Sequence, residues 1–303
     1  LSIFFLHQLI FQKFFPNSQN LLGHDYEQFI PYLAFGKIWF LKNLLSIPWF
    51  TPSFCCGIPY FADPQSMYYS IQQFIFIIFS PILSIKIIFF IFSLFGYLGT
   101  FLLMRRGFKL DAYSSLLCSC LFLFNGFFVY RVISGHLAYL SYIFIPLYCY
   151  LVIQSSKNLN NLKYLYIVLS ALVFAHFFHS GSGPIILIIF TSILIVFLIY
   201  SLLQNSFKIF FQFVQSLIMG TLISLSKITA TLFFLTNFPR NYPPTEFTSL
   251  ISYIKTFFFS FFLQPNIQYF NKNLESTFPF GLHEIEYGIS IIPLILIFLF
   301  IFL

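Results

Sequence analysis

Apolar runs separated by short polar breaks dominate the chain, and most approach the ~20 residues an α-helix needs to cross a ~30 Å hydrocarbon core. Setting runs against breaks predicts spanning helices near residues 1–15 (partial), 83–104, 112–130, 137–153, 162–179, 183–203, 208–225 and 287–303. The expected architecture is an all-α polytopic membrane protein with about eight spanning helices. The stretch 74–104 is too long for one span and holds Pro81 and Lys86, so an interfacial or re-entrant piece should precede the true span. The run 250–263 is short, contains Lys255 and is expected to lie along the membrane surface. In "FIPYLAFGKIWFLKNLL" (29–45) apolar residues recur at helical spacing around Lys37 and Lys42, as in an amphipathic helix at the interface.

Composition fits this picture: 59% of residues are hydrophobic and only 8% charged. With 49 Phe in the chain, the aromatics are read as compositional bias and not as a ligand box. The chain starts at Leu1 and stops at Leu303 inside an apolar run, so a fragment of a longer protein is expected, read as a single membrane domain over 1–303.

The formal charge of +7 changes meaning once it is mapped onto the loops. Arg105, Arg106 and Lys109, then Lys157 and Lys163, then Lys208 fall in three alternate connections, with Asp111 as their single acid. The positive-inside rule makes these connections cytoplasmic. The opposite side then receives loop 16–80, the turns 131–136 and 180–182, and loop 226–286. It holds Asp25, Glu27, Asp63, Glu246, Glu275, Glu284 and Glu286, seven of the eight acids. The basic residues thus mark topology, and with no basic patch interleaved with aromatics, nucleic acid is excluded as a partner. The five cysteines show neither CxxC nor zinc-finger spacing, so no structural metal is expected.

Polar chemistry concentrates on the predicted outer face. In "GHDYEQF" (23–29) a helix starting near His24 places Asp25 with Gln28 and Phe29, while Glu27 points about 200° away. One carboxylate can then face a cavity and the other solvent; Asp25 equally suits a helix N-terminus, where the macrodipole favours an acid. In "CCGIPYFADPQSMYYS" (55–70), Gly57, Pro59 and Pro64 build a structured turn in which Asp63 is either a turn residue or a ligand. "RVISGH" and "HFFHSGSG" set Arg131, His136, His176 and His179 at the outer ends of helices beside glycine turns. These residues cap, snorkel or bind. A His/His/Asp metal site lacks HxxxH or HxH spacing, which leaves a divalent metal open as a cofactor without placing one. Arg240 in "FPRNYPP" suits bidentate grip on a phosphate, and His283, Glu284 and Glu286 stand just before the last predicted span. "SGSG" (180–183) joins two spans and reads as a tight turn. Phosphate-loop, nucleophile-elbow and HExxH patterns are missing from the sequence.

Taken in order, "GHDYEQFIPYLAF", "PWFTPSFCCGIPYFADPQSMYYS", "SGHLAYLSYIFIPL", "FPRN" and "HEIEYGISIIPL" resemble the bacterial YfhO-like membrane proteins, and through them the GT-C superfamily of integral membrane glycosyltransferases. The resemblance runs from about residue 23 to 296, carried by the order of the motifs rather than by any one of them. It implies a multi-helix fold with large extracytoplasmic loops and a sugar donor carried on a polyprenyl phosphate. It also makes Asp25 the catalytic acid/base and places Asp63 and Gln65 in the cavity wall. Glu27 stands two residues from Asp25, whereas several branches pair adjacent acids. The expected partners are the lipid-linked donor, an envelope glycan or lipid acceptor, and membrane lipids. Arg131, His136, His179, Arg240 and Glu284 complete the expected substrate contacts, all on the outer face of a plasma-membrane protein.

Two other classes make different demands on the sequence. A transporter or flippase needs ionisable residues within its spans and often an internal repeat. Lys86 is the main mid-span charge and no repeat is evident. A proton-pumping respiratory subunit needs mid-membrane Lys, Glu and His relays, which the sequence also lacks.

Overall fold

The structure, a computed structural model, describes residues 2–12, 15, 25–54, 56–157, 161–239, 249–251 and 254. It is helical almost throughout. Five helical stretches are long and apolar enough to cross a membrane: Pro81–Gly107, Ala112–Ser134, Leu137–Lys157, Leu162–His179 and Ile185–Leu203. A sixth arises if Lys208–Ile223 and Leu225–Asn237, bent by 72° to one another, form one broken span. An unpaired backbone amide costs several kcal/mol in hydrocarbon, so helices this apolar are what such a sequence can build inside a bilayer.

The chain first forms α1 (Ser2–Phe11) and α2 (Tyr26–Asn43). A small antiparallel pairing follows, between β1 (Phe50–Thr51) and β2 (Ile58–Pro59), then α3 (Ile71–Ile78). Ser70 caps α3 by accepting from the Gln73 amide. Pro81 opens α4 (Pro81–Leu102), as its fixed φ and missing N–H favour. The stretch 74–104 is thus divided at Phe79 and Ser80 into a short helix and a longer one that is long and apolar enough to cross a membrane.

α4 ends in a π-helical turn, Leu103–Gly107. Asp111 then caps α5 (Ala112–Leu123), accepting from the amides of Tyr113 and Ser114. The predicted single helix 112–130 is in fact broken: Asn125 accepts from the Phe128 amide and starts α6 (Gly126–Ser134), so helix runs past the predicted end. A 3-10 stretch, Leu137–Phe144, leads into α7 (Ile145–Lys157). α8 (Leu162–His179), α9 (Gly183–Leu203), α10 (Lys208–Ile223) and α11 (Leu225–Asn237) complete the described bundle. Its core packs α4, α7, α8 and α10 around Phe92, Phe144, Tyr148, Phe177 and Phe213.

Among the described residues there are five to six candidate spans; α1, expected as part of a span, covers ten residues, and the predicted 287–303 span lies outside the described residues. One expectation needs correction. The predicted loop 226–286 begins as helix, because the apolar pattern continues through "ITATLFFLTN" once Lys227 is buried and hydrogen-bonded. The 250–263 run lies largely outside the described residues.

The up-and-down path sets the basic residues of the short connections apart from Asp25 and Asp63, beside which Arg131 and Lys227 lie. Arg105, Arg106, Lys109, Lys157, Lys163 and Lys208 lie at the end where α4 meets α5, α7 meets α8 and α9 meets α10. Lys157 Nζ donates to the carbonyls of Arg106 and Gly107 there. Asp25, Asp63, His136 and His179 lie at the other end, with α2, the β1–β2 pairing and the turns after α6 and α8.

Candidate functional site

Two glycine turns build the far end. Gly135 closes α6 in the left-handed region (φ 83°), folding the chain back so that the amide of His136 donates to Arg131 O. This is the usual way a helix satisfies its last carbonyls. The space left by the missing Cβ is taken by α2. The Asp25 amide donates to Ser134 O at 2.9 Å, and the Tyr26 hydroxyl donates to Val132 O. Gly181 (φ 80°) does the same after α8, where a Cβ would stand 2.6 Å from Gln65 O. The start of α2 and loop 61–66 are thus each docked onto the C-terminal turn of a helix.

The docking brings Asp25, His136 and Arg131 into one chain. His136 Nε2 lies 2.9 Å from Asp25 Oδ2, and Arg131 Nη1 lies 2.6 Å from His136 Nδ1. A guanidinium only donates, so Nδ1 is the acceptor and the ring proton sits on Nε2, from which it is given to Asp25. Arg131, 3% exposed, also lies 4.4 Å from the Phe127 ring centroid and 5.3 Å from that of Tyr139. Buried cations of this kind lean on aromatic faces. Asp25 makes no side-chain cap for α2, and its side chain keeps 23% exposure, whereas Glu27 is exposed on the outside. The two carboxylates of "GHDYEQF" therefore part as their helical spacing predicts.

A second cluster adjoins it. Asp63 Oδ1 accepts from the Gln65 amide at 2.8 Å and Oδ2 from the Tyr32 hydroxyl at 2.9 Å. The Gln28 side chain donates to Gln65 Oε1 at 3.1 Å, tying loop 61–66 to α2. Asp63 is thus both a turn residue and a link between elements, and it is 6% exposed. On its other side Lys227 Nζ donates to Phe61 O and Asp63 O at 2.6 and 2.7 Å.

Lys227 is the functional-site neighbour that the sequence reading passed over. Its one signal was a lone lysine in "SLSKITATL", inside an apolar run, where an ionisable residue marks a site or a buried partner. His179 ends α8 and packs edge-on against Tyr69, 5.7 Å between ring centroids. His176 accepts weakly from the Ile71 amide at 3.5 Å. Arg240, His283, Glu284 and Glu286 lie outside the described residues. Among the described residues, no three His, Cys, Asp or Glu side chains gather as metal ligands, and His136 and His179 belong to different clusters.

Burial sets the chemistry of the nearby phenols. Desolvation pushes Tyr26 and Tyr60 well above their ordinary value, so both are neutral donors at physiological pH; Tyr60 gives its proton to Tyr32 O at 2.7 Å. Fold and site together define an all-α polytopic membrane protein with a carboxylate–histidine–arginine chain at the acidic end of its bundle. Comparison with protein-family models, curated proteins and solved structures gives no match to this chain.

Proposed function

We propose that this protein is a membrane glycosyltransferase of the GT-C type, moving a sugar from a polyprenyl-phosphate donor to an envelope glycan or glycolipid on the outer face of the plasma membrane. The observation that supports it most is the Arg131–His136–Asp25 chain. It presents a partly exposed carboxylate in a fixed orientation, on the end of the bundle opposite the basic connections. In this reading Asp25 is the general base. It takes the proton from the acceptor hydroxyl as that oxygen attacks the anomeric carbon, and the bond to the phosphate oxygen breaks with its electrons leaving on the polyprenyl phosphate. Arg131 and His136 act behind Asp25 and not on the substrate, since Arg131 is buried against His136 and two rings. Asp63 and Gln65 form the supporting wall. Arg240 and Glu284 remain proposed substrate contacts, and about eight spans is the proposed full bundle, by the resemblance of the sequence to YfhO-like proteins.

The test uses membranes containing the protein and a panel of radiolabelled polyprenyl-phosphate hexoses and pentoses. Transfer by the wild type and its loss in Asp25→Asn, with membrane insertion unchanged, is the expected outcome. An Asp25→Asn protein that transfers at the wild-type rate sinks the assignment of Asp25, and a wild type inert with every donor sinks the glycosyltransferase reading.

One observation favours a second reading, a transporter or flippase of an envelope lipid or glycan precursor. Lys227 is a buried cation at the junction of a helix pair bent by 72°, and broken helices with buried ionisable groups are what transport sites are built from. Translocation of a fluorescent polyprenyl-phosphate lipid across proteoliposomes, with no sugar transfer, separates this reading from the first.

A further inference from the structure

α11 is held to the rest of the acidic end by a polar contact that the proposed chemistry does not use. The pair α10–α11 bends at Ser224, which leaves α11 flanking the bundle with little packing against α8 and α10. Between α11 and loop 49–62 runs an apolar groove of about 530 Å³, with Trp49 and Ala62 on one wall and Ala230, Phe233 and Phe234 on the other. Across one part of this gap reaches Lys227. Lys227 is 2% exposed, and its Nζ donates to the carbonyls of Phe61 and Asp63 and stands 5.2 Å from the Phe61 ring centroid. Burying a cation is costly unless its donors are met and a counter-charge is near. Two carbonyls meet two of its three donors here, and the Asp63 carboxylate, which accepts from the Tyr32 hydroxyl and the Gln65 amide, lies close enough to act on its charge.

The contacts continue in one direction. From Lys227 they pass to loop 61–66, then by Asp63–Tyr32 and Gln65–Gln28 to α2, whose first residues carry Asp25 to His136. We propose that Lys227 is a positioning residue that pins loop 61–66 to the bend of α10–α11, fixing both the width of the groove and the seat of α2. The role proposed for Asp25 rests on the glycosyltransferase reading. The pinning does not, and its test needs no sugar.

Spin labels at Ser53→Cys and Phe233→Cys, both exposed, report the distance across the groove in protein whose five native cysteines have been replaced. With Lys227 present the distance distribution should be single and narrow. Lys227→Met should shift it to longer, broader distances, and Lys227→Arg, which keeps the charge and the donors, should restore it. A distribution unchanged in Lys227→Met, or one that Lys227→Arg fails to restore, overturns the proposal. If Lys227→Met does not accumulate in membranes, Lys227→Gln is read in the same way, since its shorter, uncharged arm cannot hold both carbonyls as the ammonium does. If the labels behave as expected while every polyprenyl-phosphate donor fails with the wild type, the pinning stands and the glycosyltransferase reading falls.

Discussion

Gly135 and Tyr26 approach so closely that a Cβ on the glycine would stand 2.5 Å from the tyrosine's backbone nitrogen. The contact seats α2 on the end of α6, and Gly135 already sits at φ 83°, where a side chain costs about 1–2 kcal/mol. Gly135→Ala therefore meets backbone strain and a clash with main chain that cannot rotate away. A lower unfolding temperature of the detergent-solubilised protein, together with weakened sugar transfer, is expected. Gly183→Ala is the control, since its Cβ would meet Pro64 Cβ at 3.5 Å and Pro64 O at 3.7 Å, both ordinary contacts.

Arg131 and His136 are expected to act through Asp25, which makes a graded prediction. Arg131→Lys keeps the charge but loses the planar fork that meets Nδ1 and lies on Phe127. Arg131→Met removes the charge as well and frees His136 to change tautomer. Loss of orientation at a reacting group costs on the order of 100-fold in rate. Transfer assays should rank the variants wild type, Arg131→Lys, Arg131→Met, with the donor KM little changed. A large rise in KM with kcat retained would instead make Arg131 a phosphate contact.

The parts of this structure that the sequence discloses are those set by local rules. Pro81 starts α4, the glycines at 135 and 181 turn left-handed, and Asp25 and Glu27 part because helical spacing sends them to different sides. Asn125 caps α6 inside an apolar run, and the continuous hydropathy of 112–130 hides that break from a reading of the sequence. What stayed hidden depends on partners far apart in sequence. Lys227 looks like the end of a span until Phe61 and Asp63, more than 160 residues away, supply carbonyls for it. Arg131 reads as an interfacial snorkeller until the turn at Gly135 folds His136 back over it.

Tyr26 and Tyr60 give the acidic end a pH limit. Burial raises both phenols above their ordinary value near 10, so the folded state favours the neutral form. Their contribution to stability is complete below pH 10 and is lost as pH rises beyond it, at up to about 1.4 kcal/mol per pH unit for each group. Unfolding temperatures should thus hold level towards pH 10, as far as these two groups set them, and fall above it. Tyr60→Phe should lower stability near neutrality by about 1 kcal/mol through the lost bond to Tyr32 O, yet flatten the alkaline decline. An alkaline slope identical to wild type in this variant would assign the decline to other groups.

The basic connections at one end of the bundle predict its orientation in the membrane. Six basic residues occupy the connections at one end, and a lysine or arginine in a short loop resists translocation, so that end should face the cytoplasm. Glu27 is exposed at the opposite end and Lys109 at the basic end. In a cysteine-free background, a membrane-impermeant maleimide applied to intact cells should label Glu27→Cys, and should label Lys109→Cys only after the membrane is opened. The reverse pattern would put Asp25 on the cytoplasmic side, where no acceptor of the outer envelope could reach it, and the proposed reaction would have to be abandoned.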